Sequence, residues 1–340
     1  MTRLRIGIAG CGSVTGWHVG NLLAINGVEI AGLADPSQEA RERLVRRQPV
    51  VASAPQFDTP EELYESVELD GVFVGTPHTL HYSHVIGAVR RGLHVLCEKP
   101  LACAPEHARE IAEQSEAEGV VVTVSYQRRV DPAYKYMREA IDSGELGEVR
   151  TVAITCGQSW KQLTGGSWRQ NPELSGGGML MDTGSHIVDI LLWLAGREPV
   201  SVHATVDHYD APVDITTTAT IQFGGGAQGA LTVIGDLPTQ WIESVLVSGT
   251  KGLLRYENDP QHPWRTGTVH QFRDDGVYTP LNLQTWNPPT TDSLWVGAIR
   301  GENPNPIPPE VGVRVAELTA AIYRSGQERL PQDLSVTADA

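Results

Sequence analysis

A short apolar run, Arg3–Ala9, breaks into Gly10-Cys11-Gly12-Ser13-Val14-Thr15-Gly16 and then into an amphipathic stretch. Few folds admit this pattern. A strand that stops at a glycine and turns straight into a helix needs a residue free to take an unusual backbone angle, and Gly10 supplies it. Gly12 lets the main chain approach a pyrophosphate, which then sits on the helix N-terminus, and Cys11, Ser13 and Val14 complete the turn. The third glycine of this fingerprint is replaced by Thr15, with Gly16 one residue later, which predicts slightly wider helix–strand packing there.

The pattern continues for some 125 residues. Arg3–Ala9, Glu29–Ala34, Gly71–Thr76, His94–Cys97 and Val120–Ser125 read as strands, with helices between them at Leu80–Arg91 and Pro105–Glu118. Thr59-Pro60-Glu61-Glu62 opens another helix, with Thr59 as N-cap and Glu62 closing a capping box. Strands alternating with helices imply a doubly wound parallel sheet of the Rossmann type, whose ligands sit at the carboxyl ends of the strands. Asp35 ends the second strand. A carboxylate there accepts hydrogen bonds from the adenosine ribose and repels a 2′-phosphate, and Arg41 lies on the following helix. The expected cofactor is therefore NAD rather than NADP.

After Asp131-Pro132, a helix start that ends near Ser143-Gly144, the pattern changes. Val149–Cys156, Val200–Asp207, Ile215–Phe223, Gly229–Ile234 and Ser244–Ser248 follow one another as strands, a mostly antiparallel order. They are interrupted by one helix, Ser185–Ala195, stopping at Gly196, and a last helix runs from Glu310 to Arg324. The fold class expected is α/β: a Rossmann domain over 1–125 and an α+β domain over 126–340. The halves should pack tightly with the active site between them. The Pro-rich stretch Asn303–Pro309 and the chain ends are the expected places for disorder.

Composition narrows the function. Lys plus Arg is 26 and Asp plus Glu is 41, so the formal charge is 26 − 41 = −15. That is the wrong sign for nucleic acid or an anionic membrane. No segment approaches the roughly 20 apolar residues that span a bilayer, and the N-terminus does not read as a signal peptide. Cys11, Cys97, Cys103 and Cys156 form no C-x-x-C pair and suit a reducing compartment, the cytoplasm. His78, His81 and His84, three apart on a helix, drift around its axis and lack carboxylate or thiol partners at zinc spacing, so no metal is expected.

Three further segments complete the pattern: Gly75-Thr76-Pro77-His78-Thr79-Leu80-His81, Glu98-Lys99-Pro100, and Gly176-Gly177-Gly178-Met179-Leu180-Met181-Asp182-Thr183-Gly184-Ser185-His186-Ile187-Val188-Asp189. With the N-terminal turn they resemble, in order and spacing and over nearly the whole chain, the glucose–fructose oxidoreductase/inositol dehydrogenase (Gfo/Idh/MocA) family. The resemblance implies a second domain built on a large open sheet. It implies that Lys99 and His186 reach the hydroxyl being oxidised, with Asp182 beside them. It also implies that Thr76, Pro77, His78 and His81 line the nicotinamide side of the cofactor cleft next to Glu98 and Lys99; many members have Asn at the position of His78. Tyr126-Gln127-Arg128-Arg129 resembles the family's segment that approaches nicotinamide and substrate, which makes Arg128 a candidate substrate contact.

The residue types suit alcohol oxidation. His186 titrates near neutral pH and can take the hydroxyl proton. The Lys99 ammonium can stabilise developing alkoxide charge, and a cis Lys99–Pro100 bond would aim it into the cleft. Asp182, four residues before His186, can bind a neighbouring hydroxyl or orient the imidazole. Asp189 is either a substrate ligand, a cap or half of a salt bridge. Trp160, Trp168 and Arg169 can contact a sugar, or the tryptophans can fill core or a subunit interface. Trp286 and Trp295 read as packing residues. The leading function is an NAD-dependent sugar, anhydrosugar or inositol dehydrogenase, assembled as a homodimer or homotetramer that covers the open sheet. The alternatives are an NAD-dependent glycosidase working through transient oxidation and a nucleotide-sensing regulatory protein.

Overall fold

Strand β1 (Leu4–Ala9) lies inside a parallel sheet in the computed structural model, which describes residues 3–238, 241–263, 265–280, 283 and 288–334. The other strands of the sheet are β2 (Val28–Ala34), β3 (Gln56–Phe57), β4 (Gly71–Val74), β5 (His94–Cys97) and β6 (Val122–Val124). The order β3-β2-β1-β4-β5-β6 reverses direction at β1/β4, the switch point where such sheets bind ligands. Ile6, Ile8, Leu33, Phe73 and Leu96 are fully buried in this sheet, and each contributes about 1.5–3 kcal/mol of transfer free energy. The crossovers are α1 (Thr15–Leu23), α2 (Gln38–Arg47), α3 (Pro60–Ser66), α4 (His81–Val89) and α5 (Pro105–Ala117). The capping box at Thr59 and Glu62 is present as expected.

The chain divides into two units, one of Met1–Tyr126 with Pro289–Ala316, the other of Gln127–Pro288 with Glu317–Ala340. The single cut after residue 125 therefore misses a return of the chain to the first unit. The cause is α10 (Thr291–Ile299), which brings fully buried Trp295 against Gly71, where a Cβ would stand 3.0 Å from the indole. Trp286 lies outside the described residues. The Pro-rich segment after α10 is structured, contrary to the sequence reading. β6 is an edge strand with unpaired main-chain groups. Asn305 Nδ2 donates to the Val122 carbonyl at 2.7 Å, and Val124 donates to the carbonyl of buried Ile307 at 3.0 Å.

The second unit contains α6 (Pro132–Asp142), whose N-cap Asp131 accepts from Ala133 N. It contains the short helices α7 (Trp160–Leu163) and α8 (Pro172–Ser175), then α9 (Thr183–Ala195), stopped by left-handed Gly196. Its strands are β7 (Val149–Gln158), β8 (Pro199–Asp207), β9 (Thr216–Phe223), β10 (Gln228–Ile234), β11 (Trp241–Gly249), β12 (Leu253–Glu257), β13 (Thr268–Arg273), β14 (Gly276–Tyr278) and β15 (Gln332–Asp333). They form one sheet in the order β14-β13-β12-β11-β7-β10-β9-β8-β15. Every pair is antiparallel except β7 with β10. Helix α9 covers one face, where a Cβ on Gly229 would meet Leu191, Ile221 and Phe223. The alternate residues, among them Thr151, Ala153 and Thr155 of β7 and Thr218 and Thr220 of β9, are half-buried or exposed. Helix α11 (Pro309–Glu328) belongs to the first unit up to Ala316 and to the second beyond it.

Candidate active site

In the first unit the parallel registers Ala9↔Val74 and Val74↔Cys97 align the ends of β1, β4 and β5. The turn at Gly10–Val14, the loop Gly75–His81 and the Glu98-Lys99-Pro100 segment therefore leave one sheet edge. Gly10 has φ +93°, and a Cβ there would lie 2.7 Å from the Gly75 carbonyl oxygen, so the fold itself demands glycine. Gly12 differs: a Cβ on it would meet only that same oxygen, at 3.9 Å, among the described residues. The protein's own packing leaves room in front of Gly12, where a pyrophosphate would lie. Ser13 is exposed and Val14, the N-cap of α1, provides no side-chain acceptor for the first-turn amides. Thr15, in place of the third glycine, is buried and donates its hydroxyl to the Gly10 carbonyl at 2.8 Å. That bond gives the threonine a role in closing the turn.

Asp35 is fixed over the same turn. Its Oδ2 accepts from Cys11 N and its Oδ1 from Ser37 N, both at 2.8 Å. Arg41 Nη1 donates to Asp58 at 2.8 Å and to the main-chain carbonyls of Asp35 and Phe57, so protein acceptors already occupy that nitrogen. Burial, then the Asp35 charge, pushes the Cys11 thiol up to about 12, which keeps it protonated and unreactive. These features fit a dinucleotide: Gly12 and the α1 amides would hold its pyrophosphate and Asp35 its adenosine ribose.

The next two loops are pinned by imidazoles. His81 is fully buried, with Nδ1 2.6 Å from the Pro100 carbonyl oxygen and Nε2 2.9 Å from that of Thr76. Both ring nitrogens face protein, so His81 holds two loops together instead of presenting its ring to a cofactor. Burial lowers its pKa, against the pull of the two carbonyls and of Glu98. His78 is buried with its ring 5.8 Å from that of His81, Pro77 precedes it at the start of the turn, and half-buried Thr76 meets His84 Nδ1 at 3.0 Å. The Lys99–Pro100 bond is cis. Glu98 is buried and accepts from Lys99 N at 3.2 Å, and Lys99 itself is half-buried.

In the second unit Asp182 precedes the first turn of α9 and His186 lies on it, both largely buried. Trp160 Nε1 and Arg169 Nε donate to Asp182 Oδ2 at 2.8 and 2.9 Å. Trp160 is buried, and Arg169 also stacks over half-buried Trp168 at 4.5 Å. The Trp160/Arg169 pair thus orients a candidate catalytic carboxylate. Asp189 resolves as a salt bridge, gripped by Arg129 Nε at 2.9 Å and Nη2 at 2.7 Å. Arg128, expected to serve substrate, is bound by Glu243: Nε donates at 2.8 Å to Oε1 and Nη2 to Oε2, with Tyr134 and Trp241 also donating to that carboxylate. Burial alone would raise the pKa of Glu243, but the charge and hydrogen bonds of Arg128 hold it below the usual range.

The glycines before Asp182 answer to packing. A Cβ on Gly177 would lie 2.4 Å from the Tyr323 hydroxyl, and one on Gly178 1.9 Å from the Asp214 carbonyl oxygen. Buried Asp214 accepts from Gly178 N, Leu180 N and Tyr323 OH at 2.6, 2.8 and 2.6 Å. Asp214, Glu243 and His18 escape the sequence reading. Only His18 leaves a trace there, as a polar residue on the face of α1 that buries Thr15, Val19 and Leu22. Among the described residues no group of three His, Cys, Asp or Glu side chains is placed to hold a metal, and no helix is long and apolar enough to cross a membrane.

A Rossmann unit with an acidic residue tied over its glycine turn, joined to a mixed-sheet unit bearing an Asp-x-x-x-His helix, defines a class of dinucleotide-binding two-unit proteins. Residues 4–126 match the oxidoreductase family, NAD-binding Rossmann fold, and residues 134–255 match the GFO/IDH/MocA C-terminal domain. The chain belongs to the GFO/IDH/MocA oxidoreductase family. It is 34% identical over 201 residues to the rhizopine catabolism protein MocA of Rhizobium meliloti, spanning 59% of this chain and 60% of that one. It is 31% identical over 205 residues to the D-glucoside 3-dehydrogenase of Escherichia coli (strain K12), spanning 59% and 57%. The fold resembles that of the WlbA dehydrogenase from Bordetella pertussis, solved with NADH and UDP-GlcNAcA. The TM-score is 0.85 at 23% identity, over 98% of this chain and 99% of that one.

Proposed function

We propose that this chain oxidises a hydroxyl of a sugar, anhydrosugar or inositol-type polyol, or reduces the matching ketone, with NAD. The observation that carries the reading is the glycine turn, held by Asp35 and Thr15 and open in front of Gly12. Bound nicotinamide supplies the hydride acceptor. The remaining work falls to the chain. Lys99 stabilises negative charge on the substrate oxygen, and Lys99 and His186 handle its proton. Asp182, oriented by Trp160 and Arg169, receives a neighbouring hydroxyl. Arg169 and the Trp168 face suit the polar rim and C–H face of a sugar ring. NAD is preferred because Asp35 would repel a 2′-phosphate and Arg41 already serves Asp58. The four cysteines form no disulfide among the described residues, which suits the cytoplasm.

A panel of polyols, sugars and anhydrosugars assayed by reduced-nicotinamide absorbance tests the reaction. NAD-linked turnover is expected, with Lys99→Met and His186→Ala each losing at least about 10²-fold in kcat, the usual scale for a general acid–base group. Wild-type rates in both variants would remove the chemistry. Retained NAD with glycoside cleavage and no net nicotinamide turnover would favour the glycosidase reading. We also propose a symmetric homodimer or homotetramer built on the uncovered sheet face around Ala153 and Thr220. Sedimentation velocity should then give a mass of two or four chains, and a single-chain mass at micromolar concentration would refute it.

A further inference from the structure

His18 sits at the centre of a charged group that the proposed reaction does not use. It is fully buried on α1. Its Nδ1 lies 2.7 Å from Asp292 Oδ1 and its Nε2 2.9 Å from Glu98 Oε1. Asn21 donates to the other oxygen of Asp292 at 2.9 Å, and the ring stacks on Phe73 at 4.4 Å. Two buried carboxylates share one imidazole, and each meets a different ring nitrogen. Both nitrogens can donate only in the imidazolium form. Burial by itself would strip that proton, but the hydrogen bonds the ring donates to Asp292 and Glu98, and their charges, push the pKa up to about 9. The Lys99 charge also holds the Glu98 pKa down.

The second oxygen of Glu98 accepts from the main-chain amide of Lys99. The next residue, Pro100, has its carbonyl against His81. The segment carrying Lys99 is thus gripped at both neighbours by buried histidines, one through a side chain and one through a carbonyl. We propose that His18 is a positioning residue: its imidazolium ties Glu98 to Asp292, and Glu98 in turn fixes the main chain that presents the Lys99 ammonium. Its consequence for turnover rests on the role proposed above for Lys99; the contact chain does not. Asp292, 274 residues further along the chain, becomes part of the same device.

Two measurements on the full-length chain test this without reading turnover. The chain has four lysines, 99, 135, 161 and 251. Acylation of each by acetic anhydride, followed by mass spectrometry, reports its local setting. In His18→Gln the Lys99 rate should change severalfold while the other three keep wild-type rates. Glu98→Gln should give the same change and the double variant no more, because the two act in one chain. Second, the nitrogen-15 spectrum of wild-type protein should show the His18 ring, assigned by through-bond correlation to its own backbone, protonated at both nitrogens at pH 7.5. A wild-type Lys99 rate in folded His18→Gln overturns the proposal. So does a neutral His18 ring, a result that stands even if the variant does not fold. Full activity in Lys99→Met would instead sink the catalytic reading and leave these two results untouched.

Discussion

His18 and His81 are both fully buried, yet their neighbours push them in opposite directions. His81 faces two neutral carbonyls, and burial wins, lowering its pKa. His18 faces two carboxylates, and their hydrogen bonds and charges outweigh burial, raising it from 6.5 to about 9. A histidine whose folded-state pKa is raised contributes stability fully below its unfolded value, and that contribution disappears as pH climbs through the folded value. The groups facing it are Asp292 and Glu98, with Lys99 and His81 beyond Glu98. Melting temperature should accordingly fall between about pH 6.5 and pH 9, and His18→Gln should flatten that part of the curve. An unchanged slope in the variant would place the titration elsewhere. The sequence shows a polar residue on a buried face at position 18, but nothing in it joins that residue to an aspartate on a helix near the other end of the chain.

Among the elements, the lead-in to α9 shows best how a motif acquires a second meaning once it is folded. The triple glycine reads in sequence as a flexible segment able to curl over a ligand. In the structure it is a packing solution, because Asp214 and Tyr323 occupy the space where side chains would stand. Gly178→Ala would drive a Cβ to 1.9 Å from a main-chain oxygen, which cannot swing away as a side chain could. It should destabilise the protein by about 3 kcal/mol or more, the range of severe overpacking. Urea unfolding checks this, and a loss below about 1 kcal/mol would mean that the clamp yields. Elements with local signals are the legible ones: the alternation in the first unit, the Thr59 capping box, the Gly196 stop. Strands β12 to β14 and helix α10 are not. The strands are short, β12 interleaves Arg255 and Glu257 with its two buried residues, and Trp295 of α10 finds its place only against Gly71, laid down over two hundred residues earlier. The Pro-rich 303–309 segment misleads for a related reason, since its order comes from the unpaired edge of β6.

For the whole molecule, the residues assigned to the dinucleotide all lie in the first unit, so ligand linkage should act there. A ligand that binds only the folded state stabilises it by RT ln(1 + [L]/Kd), about 2.7 kcal/mol at a hundredfold excess over Kd. A chain of two units need not melt in one step, and the linkage belongs to the transition of the unit that holds the site. Saturating NAD should therefore raise the melting temperature of the first unit's transition by several degrees, and NADP at the same concentration should raise it less. Gly10 and Gly12 separate fold from binding in this assay. Gly10→Ala meets a main-chain oxygen at 2.7 Å with φ +93° and should lower the melting temperature with no ligand present. Gly12→Ala meets nothing closer than 3.9 Å and should melt near wild type while losing the NAD shift. If Gly12→Ala kept the full shift, the space before that residue would not be where the pyrophosphate lies. If NADP shifted the transition as far as NAD, Asp35 would not be setting the choice between them.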